Sequence, residues 1–238
     1  MVEEKDFPQP RTMKAGLEFI ERNKDEDSWF LQIETFDPHE PYHVPENYMK
    51  LYSEIDYDKY NIDWPGYEPV NEESRQWIPH LRHLNAALTS MCDHYLGKVL
   101  DTFDRLNLWE DTMLIVNTDH GFLLGEHDWW AKCVQPFYNE IAHTPLFIWD
   151  PRTHVQGERR NSLVQTTDIA PTLLDFFGVE IPKDMMGFPL KNTIQKDQPD
   201  RDYLLFGRHG AHVNITDGKH DYMRAPNESN SPLFNYTH

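Results

Sequence analysis

The stretch Thr112-Met113-Leu114-Ile115-Val116-Asn117-Thr118-Asp119-His120-Gly121 decides how this chain is expected to fold. Its first half is a short continuous apolar run, which suits a strand covered on both faces, the habit of parallel sheets. Its second half delivers a carboxylate, an imidazole and a glycine at the strand's C-terminal end. In α/β sheets that end is where ligands bind.

Working outward, Pro79 to Leu106 places apolar residues at helical spacing, from Leu81 and Leu84 through Met91 to Phe103, and Asn107 to Asp111 ends the pattern. Thr12 to Asn23 repeats that spacing with Met13, Leu17, Phe19 and Ile20. Ser28 to Thr35 reads as a second buried parallel strand, running into the Pro-flanked segment Phe36-Asp37-Pro38-His39-Glu40-Pro41-Tyr42. Asp56 to Ser74 is a long excursion rich in Tyr, Asp, Pro and Gly. Downstream, Pro145 to Trp149 reads as a third strand. Thr167 to Phe177 reads as a helix capped by Thr167 and Asp168 and stopped at Gly178; Tyr203 to Phe206 and Ala211 to Thr216 read as later strands. Alternating strands and helices predict an α/β fold with a mostly parallel sheet flanked by helices.

The chain has 238 residues, 22 Lys and Arg against 40 Asp and Glu, and a net charge of −18. Such a field repels nucleic acid and anionic membrane surfaces, so neither is expected as a partner. No apolar run reaches the ~20 residues of a membrane span. Met1 to Lys5 is polar and is no signal peptide. The chain as it stands therefore reads as cytoplasmic, and a longer parent as periplasmic or secreted. Cys92 and Cys133, the 2 cysteines, form no C-x-x-C pair. Asn214, Asn227 and Asn235 open N-x-[ST] sequons, which matter only in a eukaryotic secreted protein.

Asp119 and His120 can face one metal ion from the end of their strand, with Gly121 allowing a tight turn. Lys132 suits a multiply charged anion such as sulfate or phosphate, and His127 suits proton donation or an anion contact. His39, between two prolines, could contact the same anion or protonate a leaving group. Taken singly, each of these is also an ordinary solvated loop residue. Tyr42, Trp64, Tyr67, Trp129 and Trp130 could line a sugar or aryl pocket or simply pack in the core.

The line Asn117-Thr118-Asp119-His120-Gly121-Phe122-Leu123-Leu124-Gly125-Glu126-His127, then Lys132, then Tyr138-Asn139-Glu140 before His143-Thr144-Pro145-Leu146-Phe147-Ile148, resembles the sulfatase family of the alkaline-phosphatase superfamily. Leu31 to Tyr42, Gln165 to Leu174 and Met186-Gly187-Phe188-Pro189-Leu190 are similar to further segments of that family. The resemblance implies an alkaline-phosphatase-like fold and metal-dependent hydrolysis of sulfate esters, of sulfated sugars or aryl sulfates. It implies Asp119 and His120 as ligands of a divalent cation, calcium first, with manganese or magnesium as alternatives. Many members carry Asn where His120 stands, and the His form is common in the branch with phosphonate and phosphodiester hydrolases. Lys132 and His39 would contact the anion from two sides, with His127 nearby.

The same resemblance calls for a formylglycine nucleophile made from Cys or Ser in a C/S-x-P/A-x-R motif. Neither Cys92 nor Cys133 opens one, and the acidic pair that completes the metal shell is also lacking. The expectation is therefore residues 1–190 as the C-terminal part of a sulfatase catalytic domain, incomplete at its N-terminus. Residues 191–238 would start a C-terminal subdomain of short strands. The missing N-terminal part of the domain is then the expected partner beside the sulfated ligand, and the isolated chain is expected to be inactive. A phosphonate or phosphodiester hydrolase, a non-catalytic remnant that binds a sulfated ligand or partner, and a superfamily mutase remain as alternatives.

Overall fold

The computed structural model describes residues 3–52, 56, 59–227, 230, 233 and 234. The sequon at Asn235 lies outside the described residues. Two compact units emerge, one comprising 1–110 and 124–131, the other 111–123 and 132–238.

The first unit is built on α3 (Ile78–Leu106). Leu81, Leu84, Leu88, Met91, Tyr95, Val99 and Phe103 recur every three or four residues and are buried, so one stripe of the helix faces the core. The helix stops at Asn107, whose backbone is left-handed at φ 57°, a conformation asparagine tolerates better than most residues. Both α1 (Pro8–Asn23) and α2 (Glu46–Met49) pack on α3.

The expected strand over Ser28 to Thr35 is corrected. It joins no ladder among the described residues, and its first residue, Ser28, is left-handed at φ 59°. Its side chains alternate between half-buried and exposed. On the half-buried side Trp29 meets Phe19 edge-on at 5.9 Å, and Ile33 fills the space over Gly16 of α1. Phe30, on the other side, is exposed.

In the second unit β1 (Leu114–Asn117) pairs with β4 (Leu146–Trp149), with Ile115 opposite Ile148. The pairing is antiparallel, where a parallel sheet was expected. Apolar content set the existence of both strands but not their relative direction, which depends on pairing partners distant in the chain. After α4 (Asn139–Ala142), the chain reaches α5 (Ile169–Phe176) through a 3-10 turn over Thr166–Asp168. Gln165 caps the 3-10 turn, its N–H donating to Asp168 Oδ2 at 2.7 Å in a capping box, while Asp168, and not Thr167, stands at the N-cap position of α5. Gly178 stops the helix at φ 68°.

Beyond α6 (Lys191–Lys196) lies an antiparallel sheet in the order β5 (Leu204–Gly207), β6 (Val213–Thr216), β7 (Asp221–Arg224). The third of these strands was not foreseen. Asn214 sits in the central strand and is fully buried, so its sequon is closed to modification in the folded chain. Among the described residues, no helix is long and apolar enough to cross a membrane.

Candidate active-site residues

Asp119 and His120 follow directly from the end of β1. The His120 backbone N–H donates to Asp119 Oδ1 at 2.9 Å, and the imidazole Nε2 lies 3.4 Å from Asp119 Oδ2. Since His120 Nδ1 is 2.9 Å from the Gly121 carbonyl oxygen, that nitrogen carries the ring proton when the ring is neutral. Gly121 explains the turn. A Cβ there would stand 1.8 Å from the Glu140 carbonyl oxygen, and the Gly121 N–H donates to the Ile141 carbonyl at 2.8 Å. Only glycine lets this turn rest directly on the α4 backbone.

Lys132 belongs to the same unit. It is buried rather than solvated, at 7% exposure, with its ammonium 5.8 Å over the Phe122 ring.

A divalent cation tests this donor set. The Asp119 carboxylate and His120 imidazole are apt in kind, and Asp119 is 82% exposed and so available. They are too few, because a hard cation takes six or more ligands, and among the described residues no cluster of three or more His, Cys, Asp or Glu is poised around one point.

The first unit carries His127 and His39. His127 lies on a loop held in left-handed backbone: Gly125, His127, Asp128, Ala131 and Cys133 have φ of 98°, 55°, 59°, 68° and 80°. Non-glycine residues accept this only when their surroundings impose it, and such strain gathers at functional loops. The anchors are visible. Arg82 of α3 donates to the Leu124 carbonyl at 3.0 Å and to Glu126 at 2.5 Å, and Arg75 pairs with Asp128 at 2.8 Å. Short β2 (Leu123–Leu124) and β3 (Trp130–Ala131) pair across the loop. The Trp130 indole N–H donates to Ser74 Oγ at 3.0 Å. Trp130 and Tyr42 are core residues, at 1% and 2% exposure, which removes them from the aromatic pocket candidates; Trp64 stays exposed.

His39 is half-buried between two cis peptide bonds, Asp37–Pro38 and Glu40–Pro41. Its ring stacks on Phe36 at 4.3 Å. Nδ1 is 2.5 Å from the Glu40 carbonyl oxygen and 3.3 Å from Glu40 Oε2. Nothing in the sequence singles out Glu40, and Tyr67 stands there only as a pocket aromatic, yet the Glu40 carboxylate is buried and accepts a hydrogen bond from the Tyr67 hydroxyl. Burial pushes the neighbouring Asp37 carboxyl above its usual range, against the opposing pull of His39 and His43.

Comparison with known proteins decides the family. The family model described as Sulfatase matches residues 9–179. The chain belongs to the sulfatase family. It is 28% identical over 236 residues to the Clostridium perfringens arylsulfatase, covering 92% of this chain and 47% of that protein. Over 105 residues it is 33% identical to an N-acetylglucosamine-6-O-sulfatase of Bacteroides thetaiotaomicron, covering 44% of this chain and 18% of that one. The solved phosphonate monoester hydrolase of Silicibacter pomeroyi superposes with a TM-score of 0.78 at 20% identity, over 94% of this chain and 53% of that chain. That likeness speaks for the alkaline-phosphatase-like α/β fold. The sulfatase chain thus spans about half the length of the arylsulfatase it matches.

Proposed function

We propose that this sulfatase chain contributes one half of a metal-dependent site that hydrolyses sulfate esters of sugars or aryl alcohols. The single observation that carries the reading is that one unit holds both the Asp119-His120 turn and the buried Lys132 ammonium. Lys132 supplies a desolvated positive charge for a sulfate oxygen. His39 and His127 serve the departing alcohol, as contacts or proton donors. Asp119 and His120 supply two ligands of a divalent cation, calcium before manganese or magnesium, and the remaining ligands and the formylglycine come from elsewhere in the complete protein. When bound, that cation neutralises charge on the sulfate. Residues 1–190 form the C-terminal part of the catalytic domain on this reading, and 191–238, with α6 and the β5–β6–β7 sheet, begin the C-terminal subdomain.

The relatives support sulfated sugars and aryl sulfates as the substrate class, since one is an arylsulfatase and one an N-acetylglucosamine-6-O-sulfatase. The test is calorimetry of calcium and of 6-sulfated N-acetylglucosamine against the chain. Weak calcium binding that Asp119→Ala abolishes, and sugar binding that Lys132→Ala weakens about tenfold or more, support the reading. Sulfated-sugar binding indifferent to both substitutions points to a non-catalytic binding remnant. Aryl sulfate turnover by the isolated chain would sink the half-site reading outright.

His120 favours one second reading, hydrolysis of phosphonate or phosphate diesters. An aryl phosphonate that binds more tightly than aryl sulfate, with manganese preferred over calcium, would establish it.

A further inference from the structure

The proposed chemistry uses nothing from the long excursion between the His39 loop and α3, yet from Ile62 onward that excursion is tied down. The Tyr42 N–H donates to the Asp63 carbonyl at 2.9 Å, and the Tyr67 hydroxyl donates to Glu40. His80 of α3 donates from Nε2 to the Ile62 carbonyl at 3.0 Å. Farther along, the Trp130 N–H donates to the Glu68 carbonyl at 3.0 Å. The Val70 N–H donates at 2.8 Å to the carbonyl of Asp128, the residue after His127. Trp64 stands between the two ties to the His39 loop and is followed by the buried Pro65, while Trp64 itself is 52% exposed. A single exposed tryptophan on a slack loop would be ordinary. This one sits on backbone that is already fixed, so a ligand stacking on it pays little for ordering the chain.

The residue before it supplies polar groups. The Asp63 carboxylate is half-exposed, and its Oδ2 lies 2.9 Å from Nε2 of the exposed His43. A flat aromatic face beside a solvent-accessible carboxylate matches a pyranose, which offers an apolar C–H face rimmed by hydroxyl donors. An aryl alcohol has the flat face without the rim. Glu40 and Asp63 also oppose a further negative charge on the sugar, such as a uronate. We infer that Trp64 and Asp63 form a subsite for the ring of a neutral sugar: the indole stacks on the C–H face and the carboxylate accepts a hydrogen bond from a ring hydroxyl. That this sugar is the departing alcohol rests on the reading of His39 as a leaving-group contact; that the subsite takes a neutral sugar does not.

NMR titration of the full chain with unsulfated N-acetylglucosamine, glucuronic acid and phenol tests this without any turnover. N-Acetylglucosamine should shift the Trp64 indole N–H signal, identified by its absence from the Trp64→Phe spectrum, and should bind more tightly than the other two. Trp64→Ala should weaken sugar binding about threefold or more, the worth of one ring stack. Asp63→Ala keeps the carbonyl that Tyr42 uses and should weaken it about fivefold, the worth of one hydrogen bond to a charged group. Both side chains are solvent-accessible, so neither substitution empties a core site. Sugar binding that either variant leaves unchanged overturns the inference. Phenol or glucuronic acid binding as tightly as N-acetylglucosamine overturns it as well. The 6-sulfated sugar separates this subsite from the half-site reading. Binding that Lys132→Ala weakens and Trp64→Ala does not sinks the subsite alone. Binding that Trp64→Ala weakens and Lys132→Ala does not counts against the half-site and leaves the subsite standing.

Discussion

Gly121 and Gly97 are both glycines in this chain, yet the same added methyl group has opposite consequences at the two. At Gly121 it would collide with the Glu140 carbonyl oxygen at 1.8 Å, backbone that cannot step aside. At Gly97, inside α3, it would meet nothing within 4 Å. Gly121→Ala should lower stability by about 1–3 kcal/mol or more and displace the Asp119-His120 turn. Gly97→Ala should raise stability by about 0.5–1 kcal/mol, through helix propensity alone. Thermal unfolding of the two single variants checks both signs. The contrast also shows what a sequence conceals about a residue. Gly121 was readable as a turn former after a strand, but not as the point where two backbones touch.

At the scale of elements, the segment entering α5 is held by a buried ion pair. Both terminal nitrogens of the Arg201 guanidinium, Nη1 and Nη2, donate to Asp168 oxygens at 2.6 Å, and the N–H groups of Gln165 and Phe188 add bonds at 2.7 and 2.9 Å. Burial alone would raise the Asp168 pKa; Arg201 and the two backbone donors outweigh it and hold it below the ordinary carboxylate value. A carboxyl depressed in the folded state stabilises fully above its unfolded pKa, and the contribution fades as pH falls through the folded value. The window of loss therefore lies below about pH 4. Asp168→Asn should cost roughly 3–5 kcal/mol at neutral pH, by stranding the Arg201 charge. It should also flatten the acid limb of a stability-against-pH curve measured by urea unfolding.

The elements themselves were largely legible: α1 and α3 by the period of their apolar residues, β1 and β4 by short continuous apolar runs, and α5 by its capping residues and the glycine that stops it. Strand direction and the fate of Ser28 to Thr35 were not, since both depend on partners far along the chain. The candidate site divides in the same way. Asp119, His120 and Lys132 stood out by residue type and order, whereas the hydrogen bond between Tyr67 and the buried Glu40 arises only through proximity. The burial of Lys132 and Trp130 had no local signal at all.

At the scale of the whole molecule, charge dominates. A net charge of −18 on 238 residues repels itself, and added salt screens that repulsion. The melting temperature should rise as sodium chloride goes from about 10 to 150 mM, across which the Debye length falls from ~30 to ~8 Å. A fall, or no change, would mean that favourable ion pairs such as Arg82–Glu126 and Arg75–Asp128 outweigh the repulsion.

The first unit is not one continuous piece of chain: residues 124–131 return to it after the polypeptide has begun the second. During synthesis, Ser74 and Arg82 would leave the ribosome without the loop that Trp130, Leu124 and Glu126 bring to them. The helices before residue 111 can form early, but this unit closes only once residues 124–131 have emerged. A nascent chain arrested short of Ala131 should therefore expose the Trp130 seat beside Ser74 to chaperones. For the same reason, no single proteolytic cut can separate the two units and leave both intact.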